Sequence, residues 1–428
     1  MKKIIIWSVV GFIIVGIAAA AFWWLRRPQI MVFENGATLK LLKVDYGEHH
    51  AAPAGGGRTF STTNDELVVW IRKDHKPGDW LNTQFYVYDE AGTVCVPFVG
   101  RGGTAGSWQG SFEIQGIRFD AFPRRQEKFY VTLQYELRSS DNGQTMASEK
   151  FVVSNPARGK SFPQWTPEPL PDTQSDGDLS VTLTKLISGV PMPFNRGDTD
   201  PDDVMNKGVQ AVFHVERDDQ AVQNWQPVSV QTSDATGNSI SGVVVQNNWQ
   251  DGDDAVFYQY GLWPDEPAWK VRVEFSRQSD FTDDELWTVP NIPFQPGRQQ
   301  ELWSRQAPTG SPFAETDLNG YHVKIFPVKQ FTDAGPNQNP QGELLIQTEP
   351  PLPAGMRLTL VKLTDNQADD IRHLDYNFPG NNITGYRYGL TDINGLTNLN
   401  LTLALHKSRF VEFMVKPEQA PAAAEAAQ

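Results

Sequence analysis

Tyr258-Gln259-Tyr260-Gly261-Leu262 and Tyr386-Arg387-Tyr388-Gly389-Leu390 agree at four of five positions, 128 residues apart. Each is followed by a run in which every second residue is apolar: Val271, Val273 and Phe275 after the first, and Leu399, Leu401, Leu403 and Leu405 after the second. A fainter copy, Ile117-Arg118-Phe119-Asp120-Ala121, lies 141 residues before the first and leads into Val131, Leu133, Tyr135 and Leu137. Alternate side chains of a strand share one face, so each run predicts a strand with one side in a core. Phe122-Pro123 after the fainter copy matches Trp263-Pro264 after Tyr258 to Leu262.

Working outward, the three neighbourhoods share an order of features. Each opens with an alternating strand, at Leu39 to Val44, Leu179 to Leu183 and Tyr321 to Ile325. A second strand follows at Glu66 to Ile71, Val209 to Val215 and Glu343 to Ile346. A third runs into Asp89-Glu90-Ala91-Gly92, Asp234-Ala235-Thr236-Gly237 or Asp365-Asn366-Gln367-Ala368, of which the first two suit a type I turn. Each block closes on a short apolar strand before a proline: Phe151 to Val153, Leu286 to Val289, and Val411 to Val415. Blocks of about 120–140 residues with about seven short strands suit an immunoglobulin-like sandwich. The expected fold is all-β, three tandem immunoglobulin-like β-sandwiches, at 30–156, 178–298 and 299–417, the last with a short leading connector in which Glu301-Leu302-Trp303 suggests one helical turn. Residues 157–177 hold a Pro-rich stretch that predicts a semi-extended linker and the first site of proteolysis. The tail 418–428 predicts disorder.

Residues 1–29 read differently. Ile4 to Leu25 carries no charge over 22 residues, about 33 Å as a helix against a hydrocarbon core of about 30 Å. Lys2 and Lys3 precede it, and Trp23-Trp24 and Arg26-Arg27 close it where an interfacial belt and a stop belong. A cleaved signal peptide is the rival, with Ala18 to Ala21 as cleavage sites, but the apolar run is longer than an ordinary signal core. The expectation is one transmembrane signal anchor in lipid through residues 4–25, with the body outside the cytoplasm. Setting aside Lys2, Lys3, Arg26 and Arg27 leaves 33 basic against 51 acidic residues, so the body carries −18. The whole chain, at −14, is a poor ligand for nucleic acid. One cysteine, Cys95, excludes an intrachain disulfide; in Val94-Cys95-Val96 it reads as a buried thiol.

Candidate chemistry is sparse, and no cofactor is expected. Asp198, Asp200, Asp202, Asp203, Asp251 and Asp253 concentrate carboxylates in two loops of one block, a candidate calcium site, although the EF-hand Gly and Glu are missing and a solvated acidic loop explains them equally simply. His49 and His50 are adjacent on a strand and should point to opposite faces, which suits no shared metal; the other histidines are dispersed, without HExxH. No GxSxG occurs, and the glycine-rich run Gly100 to Ser107 lies between strands without the GK[ST] of a phosphate loop. Trp108, Trp165, Trp249 and Trp303 sit in polar or Gly/Pro-rich surroundings, as candidates for a sugar- or protein-binding surface or for packing at loop bases.

Leu42-x-Val44-x-Tyr46-Gly47-x-x-His50, directly after the candidate anchor, resembles the opening of uncharacterised membrane-anchored β-rich envelope proteins of planctomycete and verrucomicrobial bacteria. The resemblance covers about twenty residues and implies a bacterial cytoplasmic-membrane protein, with no activity and no functional residues attached. Together these readings predict a non-enzymatic, single-pass binding or scaffolding protein whose partner is another envelope or membrane protein. The alternatives are a glycan binder using loop tryptophans and a hydrolase with unassigned carboxylates.

Overall fold

The computed structural model describes residues 30–32, 38–53, 59–74, 80–90, 94–95, 107–109, 112–119, 121–139, 142–147, 151–191, 207–243, 246–250, 254–259, 261–298, 310–331, 341–367, 369–371, 373–376, 385–391, 393 and 395–420. The candidate anchor, with Trp23, Trp24, Arg26 and Arg27, lies outside them, as do Trp303, Tyr260 and residues 100–106. The described residues form strands and turns in several sheets, an all-β, sandwich-like fold, with no helix among them.

The first unit runs through β1 (Ile30–Val32), β2 (Thr38–Ala51), β3 (Thr59–Asp74), β4 (Trp80–Tyr88), β5 (Val94–Cys95), β6 (Ser107–Gln109), β7 (Phe112–Phe119), β8 (Lys128–Ser139), β9 (Asn142–Ala147) and β10 (Phe151–Ser154). They pair as β1-β2-β3-β7-β6 and β10-β8-β4-β5, with β9 beside β8. The second comprises β11 (Asp172–Asp176), β12 (Leu179–Pro191), β13 (Lys207–Arg217), β14 (Gln220–Ala221), β15 (Trp225–Asp234), β16 (Ser239–Val243), β17 (Gln246–Gln250), β18 (Asp254–Gln259) and β19 (Trp269–Arg277). The rest of the chain is β20 (Leu286–Gly297), β21 (Ala314–Leu318), β22 (Tyr321–Ile325), β23 (Val328–Phe331), β24 (Gly342–Glu349), β25 (Met356–Thr364), β26 (His373–Tyr376), β27 (Gly385–Leu390), β28 (Asn398–Lys407), β29 (Arg409–Val415) and β30 (Glu418–Gln419).

One pairing is alike in the three blocks. The second long strand of each block lies antiparallel to the strand carrying the aromatic signature, through Leu67↔Phe119, Val209↔Gln259 and Leu344↔Tyr388. Phe119 and Tyr388 therefore stand on equivalent strands, and β18 ends one residue before Tyr260. The alternation points inward as expected wherever its side chains are described; those of Leu133, Tyr135 and Leu137 lie outside the described residues. Val131, Val271, Val273, Phe275 and the leucines at 399, 401, 403 and 405 are all buried. Gly261, the glycine of the second signature, is required by packing: a Cβ there would lie 2.2 Å from Val209 Cγ2 and 3.0 Å from the Trp269 ring.

The last strands do not follow the expected boundaries. In the first unit the closing strand β10 pairs with its own β8. In the second, the strand beside β19 is β29, from the end of the chain, through Trp269↔Val415 to Phe275↔Arg409. In return β20, which follows β19, pairs with β28 of the third unit through Leu286↔Ala404 to Pro293↔Asn398. The closing strands of blocks two and three are thus exchanged, and the division at 298/299 cuts across both units. The physical reason is the connection: only Ser408 separates β28 from β29. A hairpin needs about two loop residues at its tightest, so β29 cannot fold back along β28 and continues into the neighbouring unit. Val411, Phe413 and Val415 accordingly belong to a core that runs continuously through units one and two, and Val289 and Ile292 belong to the core of unit three.

Two further boundaries move. The Pro-rich segment is extended but docked. Its end forms β11 in the second unit's sheet, and Glu168 N–H donates to Met414 O at 2.7 Å, along β29. Glu418 and Gln419 pair in parallel with Ile187 and Ser188 of β12, so the ordered chain extends beyond 417.

Candidate functional site

The joints between units carry side-chain hydrogen bonds between residues more than 100 positions apart in the sequence. At the first, Phe122 N–H donates to Asn238 Oδ1 (3.1 Å) and Asn238 Nδ2 returns a bond to Phe122 O (3.0 Å), a side-chain amide standing in for a strand neighbour. Arg124 Nη1 donates to Thr236 O at 3.0 Å, and Arg125 Nε reaches both oxygens of Glu266 at 3.0 and 2.9 Å. Burial pushes the Glu266 carboxyl up, against the opposing hydrogen bond from Arg125. Tyr46 of the opening motif packs edge-on against Phe122 (5.4 Å), with Lys160 Nζ 4.4 Å over its ring. Gly47, at φ 141°, sits at the adjoining register shift between Gly47 and His49. The motif therefore serves this joint.

At the second joint, Glu274 projects from β19 between the buried Val273 and Phe275. Its carboxylate accepts Arg357 Nε and Nη2, both at 2.7 Å, and Ser408 Oγ at 2.6 Å. Burial alone would raise this carboxyl, but those bonds outweigh it and hold it below the usual glutamate range. One bidentate pair thus ties β19 to β25 beside the single-residue connection.

A cleft of about 440 Å³ opens alongside, walled by both units. Its volume falls within the range of ligand-sized clefts. Asp178, in the turn between β11 and β12, accepts Arg217 Nε (2.7 Å) and Arg409 Nη2 (3.2 Å). Burial would raise the Asp178 carboxyl, but its own backbone N–H and the two arginines hold it down. Arg277 lies between the Trp225 and Phe281 rings, its Cζ 5.7 and 5.3 Å from their centroids. It donates Nη2 to Glu285 and Nη1 to Asp280 O (3.0 Å). Its Nε meets no acceptor among the described residues; nor do Arg409 Nε or Trp225 Nε1.

His406, 1% exposed, closes the floor. Its Nδ1 lies 3.2 Å from Lys407 O, which can only accept, so this nitrogen donates and Nε2 accepts from Thr359 Oγ1 at 3.0 Å. Burial pushes its pKa down, consistent with a neutral ring. Ser276 Oγ, 3.5 Å from Nε2, is itself buried, so this contact is packing within the joint. The cleft offers cationic and N–H donor groups, an arrangement suited to recognition.

The sequence singled out none of these cleft residues as a site. Among the candidates it did single out, Trp165 is half-buried, with Lys270 Nζ 5.6 Å from its ring, and packs on the second unit. Trp108 and Trp249 lie on β6 and β17, the hairpin partners of β7 and β18. Asp198, Asp200, Asp202, Asp203, Asp251 and Asp253 lie outside the described residues, and the side chains of Trp108, Trp249 and Cys95 do also. His49 and His50 take opposite faces: His49 is exposed against Ser61 Oγ at 3.0 Å, and His50 is buried. Among the described residues no three His, Cys, Asp or Glu side chains gather as metal ligands, and no helix is long and apolar enough to cross a membrane. The signal for the cleft lay in Leu405-His406-Lys407-Ser408-Arg409, where a strand boundary arrives without Gly, Pro, Asn or Asp and with Lys407 and Arg409 on either side of it. Comparison of the chain with models of protein families, with curated proteins and with solved structures finds no match.

Proposed function

We propose that this chain is a single-pass, membrane-anchored binding and scaffolding protein of the bacterial envelope, with three immunoglobulin-like sandwiches held outside the cytoplasm and an accessory role in a membrane complex. The carrying observation is the exchange of closing strands between units two and three. It makes their relative orientation part of each unit's own core, whereas tandem domains ordinarily move about their linkers. The continuous core through units one and two extends the same rigidity. Rigid spacing suits a protein that positions partners at a set height above a membrane. The test is a mild-detergent pull-down from the native source with mass spectrometry, after high-salt and carbonate washes. Retention of residues 1–27 in the membrane and stoichiometric recovery of a membrane protein support the reading. A mature amino terminus just after Ala18 to Ala21, or a body recovered alone, overturns it.

A glycan-binding reading has one observation in its favour. Trp249 follows Trp108 by 141 residues, the interval between Phe119 and Tyr260, and the two lie on corresponding edge strands. Two aromatics repeated along a rigid body would suit a repeating polysaccharide. Glycan-array binding lost on Trp108→Ala and Trp249→Ala would favour it; unchanged binding in both variants would set it aside.

A further inference from the structure

We infer that the cleft between units two and three is a binding site for an organic carboxylate. It rests on the binding-protein reading only in treating the cleft as a recognition surface. The lining holds four cations, Arg217, Arg277, Lys407 and Arg409, against Asp178, Asp284 and Glu285, with His406 neutral. A net positive cleft stands out in a chain of −14, whose overall field repels anions elsewhere.

The charges are also unevenly paired. Arg277 is matched by Glu285. Arg217 and Arg409 share the single carboxylate of Asp178, and Arg217 has only a distant second contact, Asp218 at 3.9 Å. Lys407 forms no ion pair among the described residues. Among the described residues Asp178 is thus the one carboxylate bonded to the cations of this wall, with Asp284 also in the lining and no bond from it to them, and Arg409 Nε meets no acceptor. A carboxylate entering there meets the fork geometry that guanidinium groups recognise. Asp178 already shows the mode, one carboxylate bridging two arginines. Tyr321 and Met356, both half-buried, supply an apolar lip from the third unit. That lip favours an acid with a hydrocarbon or aromatic body over a bare inorganic anion.

The test is calorimetric titration of the full chain in neutral detergent with phenylacetate, with its uncharged isostere phenylacetamide, and with sulfate. Detergent alone and the Arg217→Gln and Lys407→Gln variants serve as controls; both residues are well solvated, and circular dichroism checks their folding. Saturable phenylacetate binding is expected, at least tenfold tighter than phenylacetamide and tighter than sulfate. It should weaken several-fold in each variant and with added salt. The proposal is overturned by absent binding, by equal affinity for acid and amide, or by folded variants that bind unchanged. A failed membrane wash or an empty pull-down would refute the anchored-scaffold reading and leave this titration untouched.

Discussion

Truncating Phe413 to alanine separates the exchanged architecture from three sandwiches in series. Phe413 comes from the last strand of the third sequence block, yet its ring lies 5.8 Å from Phe213 of the second unit. Phe213 in turn stacks on Phe257 at 4.9 Å and meets Phe275 edge-on at 5.6 Å. Phe413 is fully buried, and removing such a side chain costs about 3–5 kcal/mol. At about 1.4 kcal/mol per factor of ten, amides that exchange through opening of this unit should exchange roughly a hundred to several thousand times faster. Hydrogen exchange read by mass spectrometry locates the change. Peptides covering β13, β15, β18 and β19 should lose protection, while β24 and the β25–β28 pair keep more of theirs because β20 still closes that unit. Loss confined to β24, β25 and β28, with β13 and β19 unchanged, would refute the exchange and restore the contiguous reading.

Two further outcomes follow from buried charge and from the docked segment. Lys73 is 3% exposed on β3, and burial lowers its pKa to about 8 from 10.5, with Glu113 opposing the shift. Below pH 8 both folded and unfolded forms are charged and the folded form bears the full penalty, about 3–4 kcal/mol at 1.4 kcal/mol per unit. Between pH 8 and 10.5 the unfolded form binds more protons, so stability should rise with pH. In denaturant titrations Lys73→Met should stabilise the first unit at pH 7 by up to about that amount, and the gain should vanish near pH 10.5; a gain independent of pH would count against it. In limited proteolysis, trypsin should not cut first at Arg158 or Lys160, because Lys160 Nζ is paired with Asp65 at 3.0 Å and the following segment is hydrogen-bonded to the body. Intact-mass analysis showing first cleavage there would mean that the segment is released in solution.

Much of the strand content was legible because alternation is local. Leu399, Leu401, Leu403 and Leu405 declare one buried face without reference to any partner, and the structure buries all four. Asp234 opens its turn as expected, its Oδ1 accepting the Thr236 N–H at 2.8 Å. Asp365 makes the same bond to the Gln367 N–H at 2.8 Å, so the aspartate shapes this turn without the glycine absent from the third copy. Strand partners were not legible. An inward face says that a side chain is buried and not in which unit, and Val411, Phe413 and Val415 fit either sheet by pattern. Proline count misled at 157–177 because proline stiffens an extended chain whether or not it is docked. What holds the segment is side-chain and backbone bonding to distant residues, such as Arg125 Nη2 to Pro163 O at 2.6 Å. The cleft escaped notice for the same reason. Asp178, Arg217, Arg277 and Arg409 are ordinary surface charges when read singly.

The exchange and the cleft have one cause. With Ser408 as the whole connection, the chain leaves β28 and enters β29 without turning, so Lys407 and Arg409 both arrive at the joint. Arg409 then meets Asp178, whose position is set by the β11–β12 turn, and Phe410 N–H reaches Asp176 Oδ2 at 2.9 Å in the same turn. A longer connection would remove the steric reason for the exchange. If β29 instead folded back on β28, Arg409 would leave Asp178, and the second unit would lack a closing strand beside β19. The cationic wall is therefore built by the same contact that completes the second core. It forms only when residues 409–415, more than 130 positions beyond β19, have been added to that unit. A cleft whose walls come from two units joined in this way keeps its shape as long as both are folded. That preorganisation favours binding, because little ordering remains to be done when a ligand enters.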